Sequence, residues 1–244
     1  MIDKKKSPKK KSPKKKSTPV KKSTPVKKST PVKKSTPVKK SPKVDTKTPS
    51  KGKAPLPKRK DGALYFPDFP SFRPNLTPKQ VLQLGSFGGT YFRPIHSSVT
   101  GKDYKNVHKE FPAHWFSGLD AKKMIASDKC YPDVNKYGVR AGSSLDAWEK
   151  SGWIKAQDPY GWFQWYCRFY MGRRTADDQR QVDRWDNYAG EKRGRWLRNL
   201  VGKIHKSSAK FDDVTISPVI RQGLQHWGYV LTKKEYEKHR KNML

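Results

Sequence analysis

Two acidic pairs are the residues of this chain whose spacing could support metal-dependent chemistry. Asp177 and Asp178 lie near Asp183, and Asp212 is followed by Asp213. Carboxylates so spaced can bind the divalent metal of a nuclease. A structural interpretation competes at both places, because carboxylates at a helix N-terminus stabilise the helix dipole and both pairs precede helical patterns. The structural interpretation is favoured, so neither a catalytic residue nor a metal ligand is predicted.

Histidine, cysteine and glycine indicate no other reactive centre. His108 and His114 are six residues apart, but no His-Glu spacing or cysteine pair completes a zinc site. Cys130 and Cys167 are too few for a four-cysteine centre or a secreted disulfide scaffold, which predicts reduced, packed thiols. The sequence of 85–89 lacks the Lys-Ser/Thr of a phosphate-binding loop and is typical of a tight turn. No cofactor is predicted, and no Ser-His or Cys-His spacing indicates a nucleophile.

The densest chemical signal is aromatic. Trp162–Tyr170 reads Trp-Phe-Gln-Trp-Tyr-Cys-Arg-Phe-Tyr, more rings than one helix face needs. A packed core helix is the favoured interpretation. In the alternative, some rings stack on bases while arginines bind phosphates, or the arginines pack on the rings as cation–π pairs. Arginine alternates with tryptophan again at Arg184-Trp185 and over 193–198, so the candidate nucleic-acid-binding residues of this region are Arg168, Arg173, Arg174, Arg193, Arg195 and Trp196.

Lysine repeats dominate the first 43 residues. The pentad Lys-Lys-Lys-Ser-Pro occurs twice and the hexad Lys-Lys-Ser-Thr-Pro-Val four times. Residues 1–60 hold 24 basic and 2 acidic residues, out of 55 and 21 in the whole chain. Such a charge excess predicts a polyanion partner, whose affinity falls with salt at a log–log slope of about −0.9 per phosphate contact. The lysine pairs predicted to contact phosphates are Lys9, Lys10, Lys14, Lys15, Lys21, Lys22, Lys27, Lys28, Lys33, Lys34, Lys39 and Lys40.

Ser/Thr-Pro-x-Lys sequences give the same region the substrate pattern of proline-directed kinases. Each phosphate would add roughly −1.5 to −2 charges, so full modification would cancel about half of the positive excess of the tail. The pattern predicts a charge switch for release or packaging. The predicted phosphorylation sites are Ser7, Ser12, Thr18, Thr24, Thr30, Thr36 and Thr48.

Composition divides the chain into three segments. Residues 1–43 have no aromatic residue and a proline every five or six positions, which predicts a disordered tail. Residues 44–64 continue this composition and are predicted to be a basic linker. All 8 Trp, 11 Tyr and 10 Phe lie at or beyond Tyr65, so residues 65–244 are predicted to form one domain with its own core. No stretch reaches the ~18 apolar residues of a membrane span and no signal-peptide pattern opens the chain, so an intracellular protein is expected.

Start and stop signals predict a mainly α-helical domain. Residues 65–78 carry four prolines and are predicted to be an extended arm on the surface, while 85–99 is predicted to be a loop or short hairpin. The helix of 162–171 is apolar all round, which predicts a buried central helix that ends at Gly172. The other predicted helices follow the N-caps Thr77 and Ser144, cover 179–188, 195–205 and 219–227, and end with a polar helix that Thr232 and Glu235 cap.

The tail resembles two groups of known proteins. Ser7-Pro8-Lys9-Lys10 and Ser12-Pro13-Lys14-Lys15 resemble the Ser-Pro-Lys-Lys units of linker-histone and sperm-type histone tails. This resemblance implies contact with A·T-rich minor grooves and a role in compaction. The lysine repeats as a whole are similar to the tails of basic virion proteins of algal large DNA viruses.

The domain carries a separate resemblance, over about residues 85–230. It resembles a family of proteins without assigned activity from large DNA viruses, algae and fungi. The family implies no catalytic residue, but it implies a viral setting. The segments that carry the resemblance are Phe87-Gly88-Gly89-Thr90-Tyr91-Phe92-Arg93-Pro94-Ile95, Asp158 to Arg174, Arg180-Gln181 with Arg184-Trp185, and Ser217 to Gln222 with Trp227-Gly228-Tyr229.

These features together predict a protein that binds DNA without sequence preference and neutralises its charge, as in packaging a viral genome. RNA is the alternative polyanion. Two other functions stay open: an enzyme that acts on nucleic acid and uses the tail as a tether, and a module that binds a capsid or chromatin protein. The expected location is the virion or the host nucleus, and no membrane partner is expected.

Overall fold

The computed structural model describes residues 53–241 of the chain. Helices dominate this part, which confirms the mainly α-helical prediction, and none of its helices is long and apolar enough to cross a bilayer. Two separate antiparallel hairpins, single turns of 3-10 helix (Val107–Glu110, Ala113–Trp115, Pro132–Val134) and a π-helical turn (Ala121–Ile125) complete it. The strands and helices are β1 (Lys58–Lys60), β2 (Ala63–Tyr65), α1 (Pro78–Gln83), β3 (Ile95–Ser97), β4 (Lys102–Tyr104), α2 (Leu145–Lys150), α3 (Trp162–Tyr170), α4 (Asp178–Ala189), α5 (Arg195–Ser207), α6 (Pro218–His226) and α7 (Lys233–Lys241).

The first hairpin lies inside the segment predicted to be a linker. β1 and β2 pair with Lys58 opposite Tyr65. Leu64 is only 2% exposed, and its amide donates to the carbonyl of Pro74 at 2.8 Å. The linker prediction for 44–64 must therefore be corrected for residues 58–64, because one apolar strand residue ties this polar segment to the core.

The proline-rich segment after β2 is not a surface arm. Phe66 and Phe72 are fully buried, and the ring centroid of Phe72 lies 5.2 Å from that of Trp185 on α4. The side-chain amide of Asn75 donates to the carbonyl of Val230 at 2.8 Å and its Oδ1 accepts from the amide of Val230 at 2.9 Å. The prediction of a surface arm over 65–78 is wrong, since the prolines set the turns while the rings between them enter the core.

Helix α3 is the centre of the core, as the sequence predicts. Gly161 has a φ of 84° and turns the chain into the helix. Trp165 and Tyr166 are fully buried, and their polar atoms have partners: Trp165 Nε1 donates to Asp178 at 2.8 Å, and the Tyr166 hydroxyl donates to the carbonyl of Leu76 at 2.6 Å. The core interpretation of this aromatic run is confirmed, because all of its rings are buried except that of the half-buried Tyr170.

The helices around α3 begin where the sequence predicts. Thr77 and Ser144 accept hydrogen bonds from the backbone of α1 and α2. At the start of α7 the Thr232 amide donates to Glu235 Oε2 at 3.4 Å and the Glu235 amide donates to Thr232 Oγ1 at 3.3 Å, which completes the capping box. α5 packs against α4, α6 and α7 through a stripe at helical spacing, made of Leu197, Leu200, Val201 and Ile204.

Gly85 and Gly89 allow two backbone segments to approach closely. Both have positive φ, and a Cβ atom would lie 1.9 Å from the carbonyl oxygen of Val134 at Gly85 and 1.7 Å from that of Lys123 at Gly89. The tight-turn interpretation of 85–89 is therefore confirmed. The hairpin expected within 85–99 begins only at Ile95, and its second strand lies beyond the predicted range.

Candidate nucleic-acid interface

A groove of about 940 Å³ lies beside α4 and α5 and along α6. Indole and phenol rings form much of its wall. Every charged side chain that lines it is an arginine, and no aspartate or glutamate of residues 53–241 contributes to the lining. We call it the Arg-Trp groove and define it by Trp148, Trp153, Arg184, Tyr188, Arg193, Arg195, Trp196, Arg198 and Trp227.

Two helices supply most of its cations. α4 carries Arg184 and Tyr188 four residues apart, and this spacing places them on one face of the helix. The first turn of α5 carries Arg195, Trp196 and Arg198, with no acidic residue among them. Cations at a helix N-terminus oppose the helix dipole, so this arrangement does not serve the stability of α5.

Arg184 lies between two indole rings. Its Cζ atom is 5.3 Å from the ring centroid of Trp153 and 5.4 Å from that of Trp227. Its Nη1 donates to Oε1 of Gln181 at 2.9 Å, and it forms no ion pair with a described residue. Burial lowers the pKa of Arg184 to about 10, and the nearby charge of Arg180 adds to the shift, so the side chain stays charged at neutral pH. The charge of Asp177 acts on Arg184 without a direct ion pair. A partly desolvated cation without a directly paired carboxylate is unfavourable, and a bound anion would offset that cost.

The rings of the groove rest on rings of the core. Tyr188 stacks on Trp227 with centroids 4.8 Å apart and planes at 14°. Trp227 in turn lies 4.5 Å from Trp162 of α3. Burial raises the pKa of Tyr188 to about 12 against the opposing charge of Arg195, so its hydroxyl stays neutral at pH 7. A platform supported in this way is held in place before any ligand binds.

The indole N–H groups of the core and those of the groove differ in their hydrogen-bond acceptors. Trp162 and Trp185 donate to the backbone carbonyls of Gln181 and Trp227, at 3.3 and 2.9 Å. In the groove Trp148 Nε1 donates to the hydroxyl of a neighbouring serine at 2.7 Å. The remaining indole N–H groups of the groove have no acceptor among the described residues, and they belong to Trp153, Trp196 and Trp227.

Three of the predicted binding residues line this groove. Arg195 is exposed, and its Cζ atom lies 4.9 Å from the ring centroid of the half-buried Trp196. Arg193 is held by carboxylates instead: its Nε donates to Asp186 at 2.6 Å, and its Nη2 lies 3.5 Å from Asp183. Arg195 and Trp196 therefore remain accessible to a ligand, whereas the charge of Arg193 is largely neutralised.

Two other predicted binding arginines surround a buried carboxylate. Asp158 is 1% exposed and accepts from Nη1 of Arg168 at 2.9 Å and from Nη2 of Arg173 at 2.6 Å. Arg168 also forms an ion pair with Glu110. Burial acts to lower the pKa of Arg168, but the bonds to Glu110 and Asp158 outweigh it and raise the pKa. Both guanidinium groups form ion pairs with carboxylates of the chain, so they stabilise the fold.

Arg174 is held in a similar way. Its Nε donates to Oδ2 of Asp68 at 2.5 Å, and its Cζ atom lies 3.8 Å from the ring centroid of Phe169. That Arg168, Arg173 and Arg174 bind nucleic acid stays a prediction: their positions in the sequence suit phosphate contacts, but the fold pairs them with carboxylates that the local sequence does not show.

The first acidic pair serves the start of α4. Asp178 accepts from Trp165 Nε1 at 2.8 Å and from the amide and hydroxyl of Thr175 at 2.8 and 2.9 Å. Asp177 accepts from Nη2 of Arg180 at 2.8 Å. Burial acts to raise the pKa of Asp177, but its bonds to Arg180 outweigh it and lower the pKa. This supports the structural interpretation of the pair, since these contacts account for the carboxylates without a metal.

The second acidic pair lies in a turn. Asp213 accepts from the amide and hydroxyl of Thr215, at 2.9 and 2.6 Å, and these bonds lower the pKa of its carboxyl. Within residues 53–241 no three His, Cys, Asp or Glu side chains group in a way that could hold a metal ion.

Both cysteines are free thiols, in agreement with the sequence prediction. Cys167 is fully buried in α3, and burial raises the pKa of its thiol well above the ordinary value. Cys130 is partly exposed. A buried thiol of raised pKa is a packing residue and a poor nucleophile.

His226 lines both the Arg-Trp groove and an adjoining cavity of about 610 Å³. Its ring stacks on Phe87 with centroids 4.4 Å apart, and its Nε2 lies in hydrogen-bond contact with the carbonyl of Ser86. Burial lowers the pKa of His226 to about 4, against that hydrogen bond. The imidazole is therefore neutral at pH 7, with the proton on Nε2 because a carbonyl can only accept, and Nδ1 is left as an acceptor.

Several groove residues are not among those predicted from sequence. The available signal was the lack of an acidic residue at helical spacing: Arg180 has Asp177 three positions before it, whereas Arg184 has Gln181 there and Tyr188 four positions after it. The rings that come from loops gave no such signal. The residues not predicted are Trp148, Trp153, Arg184, Tyr188, Arg198 and Trp227.

The predictions for the tail lie outside the described residues. They include the disorder of 1–43, the lysine pairs within 9–40 and the phosphorylation sites within 7–48.

Comparison with known proteins yields one match. Residues 11–49 match a family described as a Schizosaccharomyces pombe repeat of unknown function. No curated protein and no solved structure matches the chain. The match covers the repeats and part of the following segment, so it carries no information about the helical domain.

Proposed function

We propose that this protein binds DNA without sequence preference and neutralises its charge, in the setting of packaging a viral genome. The lysine-rich tail contacts phosphates, and the Arg-Trp groove of the domain supplies a second contact. The observation that carries the proposal is the distribution of counter-ions: the arginines around Asp158 are paired, while Arg184, Arg195 and Arg198 share a groove that no described carboxylate lines.

The tail supports the proposal by its charge. Its paired lysines recur at five- and six-residue intervals and have two acidic residues among the first 60 positions. Each lysine that contacts a phosphate releases a condensed counterion, and this release supplies most of the free energy of non-specific binding. Lysine point charges select no base, which fits a protein that covers DNA regardless of sequence.

A protein-binding module is the second candidate, and one observation favours it. Trp153 and Val219 line the groove and are 45% and 53% exposed. Tryptophan and arginine are enriched at protein interfaces, so a capsid or chromatin protein could occupy the same surface. In that case the domain would contribute nothing to DNA affinity.

The test is DNA binding by the full-length chain across a salt series, read by fluorescence anisotropy with a labelled duplex. In a tail-neutral variant all eighteen lysines of residues 1–43 become glutamine; the matched control replaces the same lysines by arginine and keeps the charge. We expect the tail-neutral variant to bind more weakly and to lose about 0.9 from the log–log salt slope for each contact removed, while the control keeps the wild-type slope.

Residual duplex binding by the tail-neutral variant measures the contribution of the domain. Replacing Arg195 and Arg198 by glutamine in that background should weaken it further, whereas replacing the exposed Lys102 and Lys105, which line neither cavity, should change it little. Wild-type protein that binds duplex no better than the tail-neutral variant would contradict the proposal.

A further inference from the structure

We propose that the Arg-Trp groove binds unpaired nucleotides of a single strand, with bases stacked on its indole rings and phosphates on its arginines. This inference rests on the proposed function and extends it, because it assigns the domain a preference for single-stranded over duplex nucleic acid. It is carried by the accessible rings, the unpaired cations and the size of the groove.

The bases of a duplex cannot stack on the accessible rings. Bases in a duplex already stack on one another, so their faces cannot reach Trp153 or Trp196. Each unpaired base offers a π-face, and stacking on an aromatic side chain is tolerant of sequence. The free indole N–H groups of Trp153, Trp196 and Trp227 can donate to base or phosphate oxygens.

The cations alternate with the rings in space. Arg184 lies 5.3 and 5.4 Å from two indole centroids, and Arg195 lies 4.9 Å from a third. A nucleotide repeats the complementary pattern, one flat ring and one anionic phosphate per unit. An acidic peptide would satisfy the arginines but would leave the ring faces without flat partners, so the nucleic-acid strand is the better complement.

The dimensions and the rigidity agree with this ligand. A volume of about 940 Å³ lies within the ~300–1,000 Å³ of small-molecule sites, which is too small for a duplex and large enough for unstacked nucleotides. The Tyr188–Trp227–Trp162 stack fixes one wall against the core. His226 adds a neutral acceptor, Nδ1, which suits the exocyclic amine of a base.

The experiment compares a labelled short oligo(dT) with a duplex in the full-length tail-neutral variant, so that the groove dominates binding. We expect oligo(dT) to bind more tightly than the duplex. Trp153→Ala should weaken oligo(dT) binding about fivefold to hundredfold, the range of a lost stacking contact. Trp153→Phe should retain most of the affinity, and the matched control Tyr65→Ala, a partly exposed ring outside the groove and the core cluster, should retain all of it.

Photocrosslinking gives a second readout that does not depend on affinity. Oligo(dT) substituted with 5-iodouracil should crosslink to peptides that contain Trp153 or Trp196. Crosslinks only elsewhere, or Trp153→Ala binding within twofold of its parent, would overturn the inference. So would a loss on Arg184→Gln without any loss on Trp153→Ala, because it would show phosphate contact without stacking.

The two proposals fail in different ways. If the wild type binds duplex with a steep salt slope while the groove variants bind oligo(dT) like their parent, only the single-strand inference is lost. If the wild type shows no salt-dependent binding to either nucleic acid, both proposals are lost.

Discussion

The arginines around Asp158 and those of the Arg-Trp groove come from the same kind of sequence and reach different states. Both sets alternate with aromatic residues along helices or just after them. Around Asp158 a buried carboxylate receives Arg168 and Arg173, whereas Arg184 meets two indole rings and a glutamine. The same Arg-aromatic motif is therefore ion-paired or left without a carboxylate partner according to the segments that the fold brings to it.

The largest effect is expected at the buried carboxylate. Asp158→Ala leaves Arg168 and Arg173 without their shared partner, and breaking a buried pair costs about 3–5 kcal/mol of unfolding free energy. Urea unfolding followed by tryptophan fluorescence measures it. Asp146→Asn, in the exposed pair of Asp146 with Lys150, is the control and should cost less than about 1 kcal/mol. Similar values for both variants would break the comparison.

The second effect concerns the imidazole of His226, which is neutral at pH 7 in the folded chain. The pKa of His226 is about 4 in the folded chain and about 6.5 in the unfolded chain. The unfolded state therefore binds a proton first as the pH falls. The stability that this shift contributes is intact above pH ~6.5 and is lost as the pH falls through ~4, by up to about 3 kcal/mol.

The variant His226→Gln isolates this term, since glutamine can still donate to the carbonyl of Ser86 but does not titrate. Unfolding free energies of both proteins between neutral and acidic pH should show a steeper loss for the wild type over that window. Parallel curves would indicate that the imidazole is not shielded, and the groove would then gain a cation in mild acid.

Much of the fold follows from local patterns in the sequence. The caps Thr77, Ser144 and Thr232 mark helix starts because their side chains satisfy nearby backbone amides, and the all-round apolar character of α3 marks the core. Non-local packing could not be read in the same way. Phe66 and Phe72 are buried by helices a hundred residues further along the chain, so the prolines between them suggested a surface arm.

The site was harder to predict than the fold because it depends on which arginines have no carboxylate partner in the folded chain. Arg195 and Trp196 were visible as a basic aromatic pair, but Arg168 and Arg173 gave the same signal. The carboxylates that distinguish them come from other segments of the chain. Rings such as Trp153, which enter the groove from a loop, have no periodicity that connects them to α4.

The smallest effect on stability is expected at Arg184, where the comparison becomes sharpest. Arg184→Gln removes cation–π contacts worth about 0.5–1 kcal/mol each at exposed sites, but it also removes a partly desolvated charge that forms no ion pair with a described residue. These terms oppose each other, so the free energy of unfolding should change by less than about 1 kcal/mol. Arg168→Gln, which removes a cation from Asp158 and Glu110, should lower the free energy of unfolding clearly more.

The effects of the two variants on binding should rank the other way. Arg184→Gln lowers the single-strand salt slope by about 0.7, the value for one lost phosphate contact, while Arg168→Gln leaves the slope unchanged. Equal costs in unfolding, or an unchanged slope for Arg184→Gln, would show that Arg184 too is a structural residue.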